Sequence, residues 1–413
     1  EAEKRYCNSL TSFSRFKTIE VNIGSLKMGG DNPIRIQSMT TTDTMNTEGT
    51  VAQSIRMIDA GCELVRITAP SKKDAENLKP IKEALAVKGY TTPLVADIHF
   101  TPNAAEIAAT IVEKVRVNPG NYADKKKFEH IEYNDDTYKA ELERIRERFT
   151  PLVLLCKKHN TAMRIGTNHG SLSDRILSRY GDTPLGMVES AMEFLNICRD
   201  HDFHNIVLSM KASNTQVMVQ AYRLLVNRMM NEGMKYPLHL GVTEAGEGED
   251  GRIKSAVGIG TLLEDGLGDT IRVSLTEEPE FEIPVAFALA KRYENRANHA
   301  PIPELNSYPI NPFEYSRRSS TEAGNIGDHN VPRIIQDFSQ LEEIKPANLH
   351  AVGYNYSVPL DKWNITDQAC DFIYVGDSSI SFEIPGTLSV IQNAAAWQDK
   401  DRHYPIFESI SYV

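Results

Sequence analysis

The sequence predicts an α/β protein: a closed (β/α)8 or TIM barrel followed by the start of a second, smaller α/β domain. Strand-like and helix-like patterns alternate over roughly 270 residues, which is the size of such a barrel. Polar residues follow the strands all the way round the series, whereas an open doubly wound sheet would gather them at one switch point. The composition changes after Arg296, where prolines cluster and a different pattern begins.

A small hairpin over 18–30 is predicted ahead of the barrel, and Gly29 and Gly30 mark its end. The predicted barrel strands are 34–40, 63–68, 94–100, 114–118, 162–167, 205–210, 238–242 and 270–275. The predicted helices lie near 51–60, 72–87, 103–112, 137–158, 185–199, 215–231, 253–264 and 283–295. Strands that alternate with helices in this way pair in parallel through crossovers. The charged stretch 124–136 predicts a loop.

These patterns divide the chain into a barrel over 1–296, a proline-rich linker over 297–330 and a partial α/β domain over 331–413. In the last part, the predicted elements are strands at 333–339, 371–375 and 405–413 and a helix near 388–397.

Composition excludes several classes of function. The net charge of −11 argues against a nucleic-acid or membrane-surface binder, because those need a basic face. No apolar run approaches the roughly 18 residues of a membrane span. The five cysteines are scattered without a CxxC pair, which fits a reducing cytoplasm. Since no Cys/His spacing typical of a metal site occurs either, we expect no metal ligands in this chain.

Cations at strand ends are the strongest indication of function. In the segment TIRVSLT, alternation places Arg272 and Ser274 on the face opposite the apolar residues. The same theme recurs in four other strands, at Arg66, Arg116, Arg164 and Lys211.

Any one of these cations could simply pair with a neighbouring carboxylate. Five at one barrel mouth would repel one another strongly, and the nearby acids are few, namely Asp97, Glu244 and Glu247. The excess predicts a bound anion of charge two or more. Arginine suits a diphosphate because its guanidinium binds two oxygens at once.

Further polar residues surround these cations in the sequence. Asp97 and His99 share one face of VADIHF, either as a structural pair or to orient substrate and transfer protons. Asn118 follows Arg116 by two residues, and Asn168 follows Arg164 by four.

Thr243 and Glu244 end the seventh strand and precede the glycine-rich segment AGEGEDG. This segment is either an ordinary mobile loop or a loop whose backbone approaches a ligand closely. Glu244 is the carboxylate best placed for general acid catalysis. Lys211 could alternatively form a Schiff base, since neighbouring cations would lower its pKa.

Eight segments together closely resemble the 4-hydroxy-3-methylbut-2-enyl diphosphate synthase family. They are QSMTTTDT, VRIT, VADIHF, VRVNPGN, MRIGTNHGSL, VLSMKAS, LGVTEAGEG and IRVSLT. The resemblance covers about residues 14–295, and 300–413 resembles the start of the insert domain in the larger, plant-like form of the family.

The resemblance implies reductive ring opening and dehydration of 2-C-methyl-D-erythritol 2,4-cyclodiphosphate to 4-hydroxy-3-methylbut-2-enyl diphosphate, in isoprenoid biosynthesis by the methylerythritol phosphate pathway. It implies electrons from ferredoxin or flavodoxin, passed through a [4Fe-4S] cluster. The diphosphate contacts it implies are Arg66, Arg116, Arg164, Lys211, Arg272 and Ser274. The implied pocket walls are Asp97, His99, Asn118 and Asn168. Thr243 and Glu244 would face the reacting carbons, with Glu244 as the proton donor.

One departure from the family pattern matters. The family holds its cluster in a C-terminal domain on three Cys and one Glu, and this sequence has no such cysteine motif. We therefore expect the chain to bind the substrate but to hold no cluster, and to be inactive without a cluster domain. A homodimer is compatible with the resemblance.

Three alternatives stay open at this point. The first is a pterin-binding barrel of the dihydropteroate synthase type, which also holds a diphosphate. The second is a Schiff-base aldolase that uses Lys211. The third is a non-catalytic folding or interaction unit.

Overall fold

The structure is a computed structural model that describes residues 4–123, 133–305 and 310–408. Its contacts divide the chain into two compact units, Glu1–Ser316 and Arg317–Val413. The boundary falls inside the stretch 297–330 that the sequence predicts as a linker. Among the helices of the described residues, none has both the length and the apolar character needed to cross a membrane.

The first unit is an eight-stranded parallel barrel preceded by an antiparallel hairpin. The hairpin consists of β1 (Val21–Ile23) and β2 (Leu26–Met28). The barrel strands are β3 (Arg35–Met39), β4 (Leu64–Thr68), β5 (Leu94–Asp97), β6 (Lys114–Val117), β7 (Ala162–Asn168), β8 (Ile206–Lys211), β9 (His239–Leu240) and β10 (Thr270–Ile271). Strand β10 pairs with both β3 and β9, and a parallel bridge between Leu208 and Leu238 closes the ring. The predicted fold class is confirmed.

Helices follow the strands and cover the outside of the barrel. They are α1 (Thr47–Asp59), α2 (Lys72–Val87), α3 (Pro102–Ala109), α4 (Pro119–Tyr122), α5 (Asp135–His159), α6 (Asp174–Tyr180), α7 (Pro184–Asp200), α8 (Thr215–Asn231), α9 (Gly248–Glu264) and α10 (Pro279–Lys291). Outward-facing strand residues such as Ile67, Val115 and Ile165 pack with them in the main hydrophobic core. The short helices α4 and α6 were not predicted from the sequence.

The hairpin seals one end of the barrel. Ile23 and Met28 lie in a buried apolar cluster with Leu64, Val95 and Val207. Because this end is apolar, polar residues further along the same strands are the ones that can build a site. Such residues lie toward the carboxyl ends of the strands, where TIM barrels place their active sites.

The third, seventh and eighth barrel strands are shorter than predicted, and the third ends at Asp97. The N–H of Arg272 still donates to the carbonyl of Leu240 at 3.0 Å, but the ladder ends there. The N–H of Leu275 donates instead to a carboxylate oxygen of Glu282 at 2.9 Å. The prediction of a strand through residue 275 is therefore wrong, although Val273 and Leu275 remain buried in alternation with Arg272.

The predicted loop over 124–136 is only partly open to comparison, because 124–132 lies outside the described residues. Its last residues are not a loop, since Asp135 begins the long helix α5. Asn134 caps this helix by accepting a hydrogen bond from the N–H of Thr137 at 2.8 Å. Asp135 and Asp136 in the first turn also interact favourably with the helix dipole.

The second unit contains a four-stranded parallel sheet and a hairpin. The sheet has the order β11 (Ile335–Asp337), β14 (Phe372–Tyr374), β15 (Ser389–Asn393) and β16 (His403–Ile406), and the hairpin pairs β12 (Tyr354–Ser357) with β13 (Lys362–Ile365). The hydrophobic core of this second unit contains Leu349, Ile373, Val375, Leu388 and Val390.

The helix predicted near 388–397 is wrong. Strand β15 occupies the first part of this stretch and pairs in parallel with both β14 and β16. The β-branched residues Val390 and Ile391 favour a strand, whereas the alanines at 394–396 favoured a helix in the sequence and form a turn in the structure. Residues 409–413 of the last predicted strand lie outside the described residues.

Candidate functional site

Five of the predicted cations are buried in the interior of the barrel. Arg116 lies beside Arg164 in the β6–β7 register, and Lys211 lies beside Asn168 in the β7–β8 register. Arg164 is 1% exposed, the next three cations are at most 8% exposed, and the side chain of Arg272 is 11% exposed. Burial lowers the pKa of Lys211 well below its ordinary value, and so do the charges of Arg164, Arg66, Arg272 and Arg116. The four arginines are therefore all close enough to act electrostatically on Lys211.

Asp97 binds two of these cations. Its Oδ1 accepts a hydrogen bond from Nη1 of Arg116 at 2.9 Å, and its Oδ2 accepts from Nε of Arg66 at 3.0 Å. Burial alone would raise the pKa of Asp97, but the charges of Arg66 and Arg116 outweigh it and hold this pKa well below its ordinary value. Asp97 is therefore ionised and offsets part of the positive charge.

Arg164 and Lys211 form no ion pair with a carboxylate of the described residues. Nη1 of Arg164 donates to the hydroxyl of Ser209 at 3.2 Å, and no carboxylate oxygen of the described residues lies within 4.0 Å of either cation. Guanidinium groups keep their charge inside proteins. Burial lowers the pKa of Arg66 to about 10, so its side chain stays charged at neutral pH, and burial lowers the pKa of Arg164 well below its ordinary value.

Arg272 faces a carboxylate that the sequence analysis missed. Its Nη2 lies 3.6 Å from Oε1 of Glu282, which is on α10 and nearly fully buried. Glu282 also accepts hydrogen bonds from the hydroxyl of Ser38 at 2.8 Å and from the N–H of Leu275 at 2.9 Å. The acids expected nearby, Glu244 and Glu247, form no ion pair with any described residue.

Two glycines make room for these cations. A Cβ atom at Gly166 would lie 2.7 Å from Nε of Arg116 and 3.0 Å from Oγ of Ser209. A Cβ at Gly241 would lie 2.8 Å from Nζ of Lys211. The distances to Arg116 and to Lys211 are shorter than real Cβ contacts. A larger residue at either glycine would therefore displace the neighbouring cation.

Several nitrogen atoms in this cluster meet no acceptor among the described residues. They are Nη1 of Arg66, Nε of Arg116, Nε of Arg164 and Nε of Arg272, all buried. Buried polar groups without a partner are rare and call for an explanation. An anionic ligand with several oxygens would supply the acceptors and the missing negative charge together.

The other predicted pocket residues have different surroundings. Nε2 of His99 lies 3.6 Å from Oδ2 of Asp97, so these two residues are neighbours as expected. Oδ1 of Asn168 accepts from Nη2 of Arg116 at 3.3 Å. Asn118 instead caps α4, where its side chain accepts from the N–H of Gly120 at 3.1 Å.

Thr243, Glu244 and Ser274 follow the ends of β9 and β10. Their side chains make no hydrogen bond with any other described residue, and Glu244 is exposed. Glu244 adopts a left-handed backbone conformation with φ of 53°, which is uncommon outside glycine. The structure brings these three residues near strand ends, and their roles stay predictions.

Two ionisable residues of the barrel interior were missed. Lys114 and His239 are both fully buried, and the oxygen of Gln37 lies 3.4 Å from Nζ of Lys114. The sequence does contain the relevant pattern, because Lys114 precedes Arg116 by two residues and must share its face. A lysine is mostly exposed in proteins, so the alternation alone does not identify Lys114 as part of a buried site.

The cysteines do not fit an iron-sulfur cluster. All five are free and buried, and no group of three or more potential metal ligands occurs among the described residues. Burial raises the pKa of Cys7 to about 11 and those of Cys62 and Cys156 to about 12. Cluster ligands are thiolates, so these thiols are poorly suited to that role.

The fold and the site define a class of protein: a (β/α)8 barrel whose interior is lined by cations. The family model of the GcpE TIM-barrel domain matches residues 18–287. The chain belongs to this family, that of 4-hydroxy-3-methylbut-2-en-1-yl diphosphate synthase.

Similar curated proteins carry the name 4-hydroxy-3-methylbut-2-en-1-yl diphosphate synthase (flavodoxin). The protein of Parabacteroides distasonis is 52% identical over 398 residues, which are 96% of this chain and 62% of the relative. That of Bacteroides fragilis is 58% identical over 329 residues, or 79% of this chain and 53% of the relative. That of Leptospira interrogans is 58% identical over 318 residues, which are 77% of this chain and 48% of the relative. The chain thus spans about half to three fifths of their length.

Among solved structures, a dihydropteroate synthase from Xanthomonas albilineans matches with a TM-score of 0.42 and 11% sequence identity. This match covers 67% of the chain and 100% of that structure, and a likeness at this level carries no argument about function.

Proposed function

We propose that this chain binds 2-C-methyl-D-erythritol 2,4-cyclodiphosphate inside its barrel. The observation that carries the proposal is the charge imbalance: among the residues that the structure describes, five largely buried cations have only two carboxylate partners, those of Asp97 and Glu282. A dianionic cyclic diphosphate would offset two of the three remaining positive charges and would give oxygens to the unpaired guanidinium nitrogens.

The cations have distinct roles in this proposal. Arg164 and Lys211 lack carboxylate partners among the described residues, so they are free to bind the diphosphate directly. Arg66 and Arg116 are held in place by Asp97 and present their remaining N–H groups. Arg272 and Ser274 would complete the diphosphate contacts, and His99, Asn118 and Asn168 would shape the pocket.

In this proposal, Thr243 and Glu244 face the carbons of the substrate that react. Glu244 is exposed in the ligand-free protein and could donate a proton to the departing C3 hydroxyl, so that it leaves as water. A catalytic acid need not be aligned before substrate binds, because such hydrogen bonds often form only in the complex.

The full-length protein would then convert the cyclic diphosphate to 4-hydroxy-3-methylbut-2-enyl diphosphate in the cytoplasm. A [4Fe-4S] cluster would supply the two electrons, with flavodoxin, as the relatives' name suggests, or ferredoxin as the donor. Since the cysteines described above do not fit such a cluster, we assign it to residues other than these. Residues 317–413 would be part of an insert domain, and the chain alone would be inactive.

Family membership favours this substrate over a pterin. The lowered pKa of Lys211 would also suit a Schiff-base nucleophile, and borohydride trapping with a carbonyl substrate tests that alternative. A covalent adduct at Lys211 would favour an aldolase.

Isothermal titration of the chain with the cyclic diphosphate tests the proposal. The variant Arg164→Met should weaken binding at least about tenfold, because it removes a desolvated charge without a competing carboxylate. The variant Arg146→Met is a matched control, since Arg146 pairs with Asp200 on the outside of the barrel. Undetectable binding to the native chain, or equal loss in both variants, would contradict the proposed function.

A further inference from the structure

Below the arginines, the barrel contains a second polar layer that has no role in the function proposed above. Lys114 and His239 are 0% exposed, and Gln37 is 1% exposed. Nζ of Lys114 lies 3.4 Å from Oε1 of Gln37, and Nδ1 of His239 lies 3.4 Å from Oγ1 of Thr270. Nε2 of Gln37 and Nε2 of His239 meet no acceptor among the described residues.

The groups around this layer are almost all cationic. Strand β4 contributes Arg66, β6 contributes Arg116, β7 contributes Arg164 and β8 contributes Lys211, and Arg272 directly follows β10. The carboxylates near these groups, among the described residues, are Asp97 from β5, Glu282 from α10 beside Arg272, and Asp269, whose Oδ2 accepts from the N–H of Leu238 at 2.9 Å. On the remaining sides, Arg35 of β3 is already paired with Glu63 at 2.9 Å. The hydroxyl of Tyr222 donates to the carbonyl of His239. The hairpin residues that pack into the barrel are apolar.

Only some of these groups can relieve the repulsion by losing a proton. Arginine stays protonated, whereas lysine and histidine can become neutral when they are desolvated beside like charges. Lys114 and His239 have weak hydrogen bonds at 3.4 Å and no carboxylate partner among the described residues. Lys114 and His239 can therefore lose a proton with a smaller loss of favourable interactions than the other cations of the barrel.

We propose that Lys114 and His239 are proton acceptors for anion binding: they are neutral in the empty barrel and take up protons from solvent when the diphosphate binds above them. The inference rests on the proposed function, because it needs an anionic ligand at the arginines. Neither residue has to touch the ligand, so both are positioning residues, and each gains a proton because the negative charge of the ligand offsets the repulsion from the arginines.

The electrostatic surroundings support this inference. Burial lowers the pKa of Lys114 well below its ordinary value, and the charges of Arg164 and Arg66 lower it further. Burial also lowers the pKa of His239, as do the charges of Lys211, Arg164 and Lys114. A bound dianion acts in the opposite direction on both groups, because an opposite charge nearby favours the protonated form.

Proton uptake is measured by titrating the chain with the cyclic diphosphate in buffers of different ionisation enthalpy between pH 7 and 9. Each phosphorus of this ligand carries a single strongly acidic oxygen, so the ligand itself does not titrate in that range. For each proton taken up, the Kd should rise about tenfold per pH unit. Lys211 contributes to the total, so the contribution of Lys114 has to be isolated by substitution.

The variant Lys114→Met should take up about one proton fewer than the native chain at the pH where uptake is largest, with a correspondingly shallower pH dependence of the Kd. The variant His239→Asn should reduce uptake toward pH 7, where histidine titrates. The exposed Lys254→Met on α9 changes the net charge equally and should leave proton uptake unchanged.

Failure of this inference can be told apart from failure of the proposed function. Binding without proton uptake, or with uptake that Lys114→Met leaves intact, overturns the inference while the diphosphate site stands. Absence of binding by the native chain refutes the proposed function itself. Should the methionine variant not fold, Lys114→Gln keeps a polar side chain beside Gln37 and gives the same comparison.

Discussion

The guanidinium of Arg116 lies against the backbone of Gly166. Its Nη2 donates to the Gly166 carbonyl at 3.0 Å, and a Cβ at position 166 would lie 2.7 Å from its Nε. The glycine is therefore part of what positions the cation. A side chain there would force Arg116 away from both this carbonyl and Asp97.

The variant Gly166→Ala should accordingly weaken binding of the cyclic diphosphate at least about tenfold, since it displaces a charged group from the site. The backbone at this position is not left-handed, so alanine adds no backbone strain. Calorimetric titration measures the Kd. The control Gly386→Ala places its Cβ in open space and should behave like the native chain. Native affinity in Gly166→Ala would show that Arg116 tolerates displacement or makes no contact.

Asp97→Asn should destabilise the ligand-free chain by about 3–5 kcal/mol, because it leaves two buried guanidinium groups without their carboxylate. The folded state lowers the pKa of Asp97, so its contribution is present above the ordinary value of 3.8 and is lost as the pH falls toward the folded pKa. Urea unfolding from pH 7 to pH 3 measures the difference between native and variant chains. The difference should stay constant above about pH 5 and shrink below it; a pH-independent difference would count against this account.

Arg272→Ala should cost at least about 2 kcal/mol of diphosphate binding if Arg272 is a desolvated, bidentate ligand of the phosphate oxygens. Its weak contact with Glu282, at 3.6 Å, leaves Nε without an acceptor among the described residues and so available. Titration calorimetry compares the variant with Arg146→Ala on the outer face of α5. An unchanged Kd would remove Arg272 from the site.

The variant Lys114→Met should stabilise the ligand-free chain by about 1–4 kcal/mol at pH 7, because an apolar residue of similar length fits a buried site that disfavours charge. A lysine whose pKa is lowered on folding makes the folded state bind fewer protons than the unfolded state. Stability of the native chain therefore rises with pH toward the ordinary value of 10.5. The advantage of the variant should decrease over the same range. Thermal or urea unfolding at pH 7 and pH 9 measures it, and a destabilised variant would contradict the reasoning.

The barrel and most of its cations could be predicted because both depend on short-range patterns. Alternation over a few residues places Arg66, Arg116 and Arg164 on the inner face of their strands. Glu282 could not be found in that way, since it reaches Arg272 from a following helix and its role depends on tertiary packing. The helix predicted near 388–397 failed because local alanines outweighed Val390 and Ile391, whose pairing partners are distant in sequence. Lys114 obeyed the pattern, but nothing in the sequence reveals that it is fully buried.

The last prediction concerns Glu244, whose left-handed backbone conformation costs of order 1 kcal/mol for any residue except glycine. The variant Glu244→Gly should therefore keep or raise the stability of the chain by about that amount while it lowers turnover of the full-length protein. Its Kd for the cyclic diphosphate should change little, because Glu244 is assigned to proton donation. Glu247→Gly is the matched control: it removes a carboxylate from the same loop at a position with an ordinary φ of −92°. Unfolding, titration and turnover together test the assignment, and full turnover by Glu244→Gly would exclude Glu244 as the proton donor.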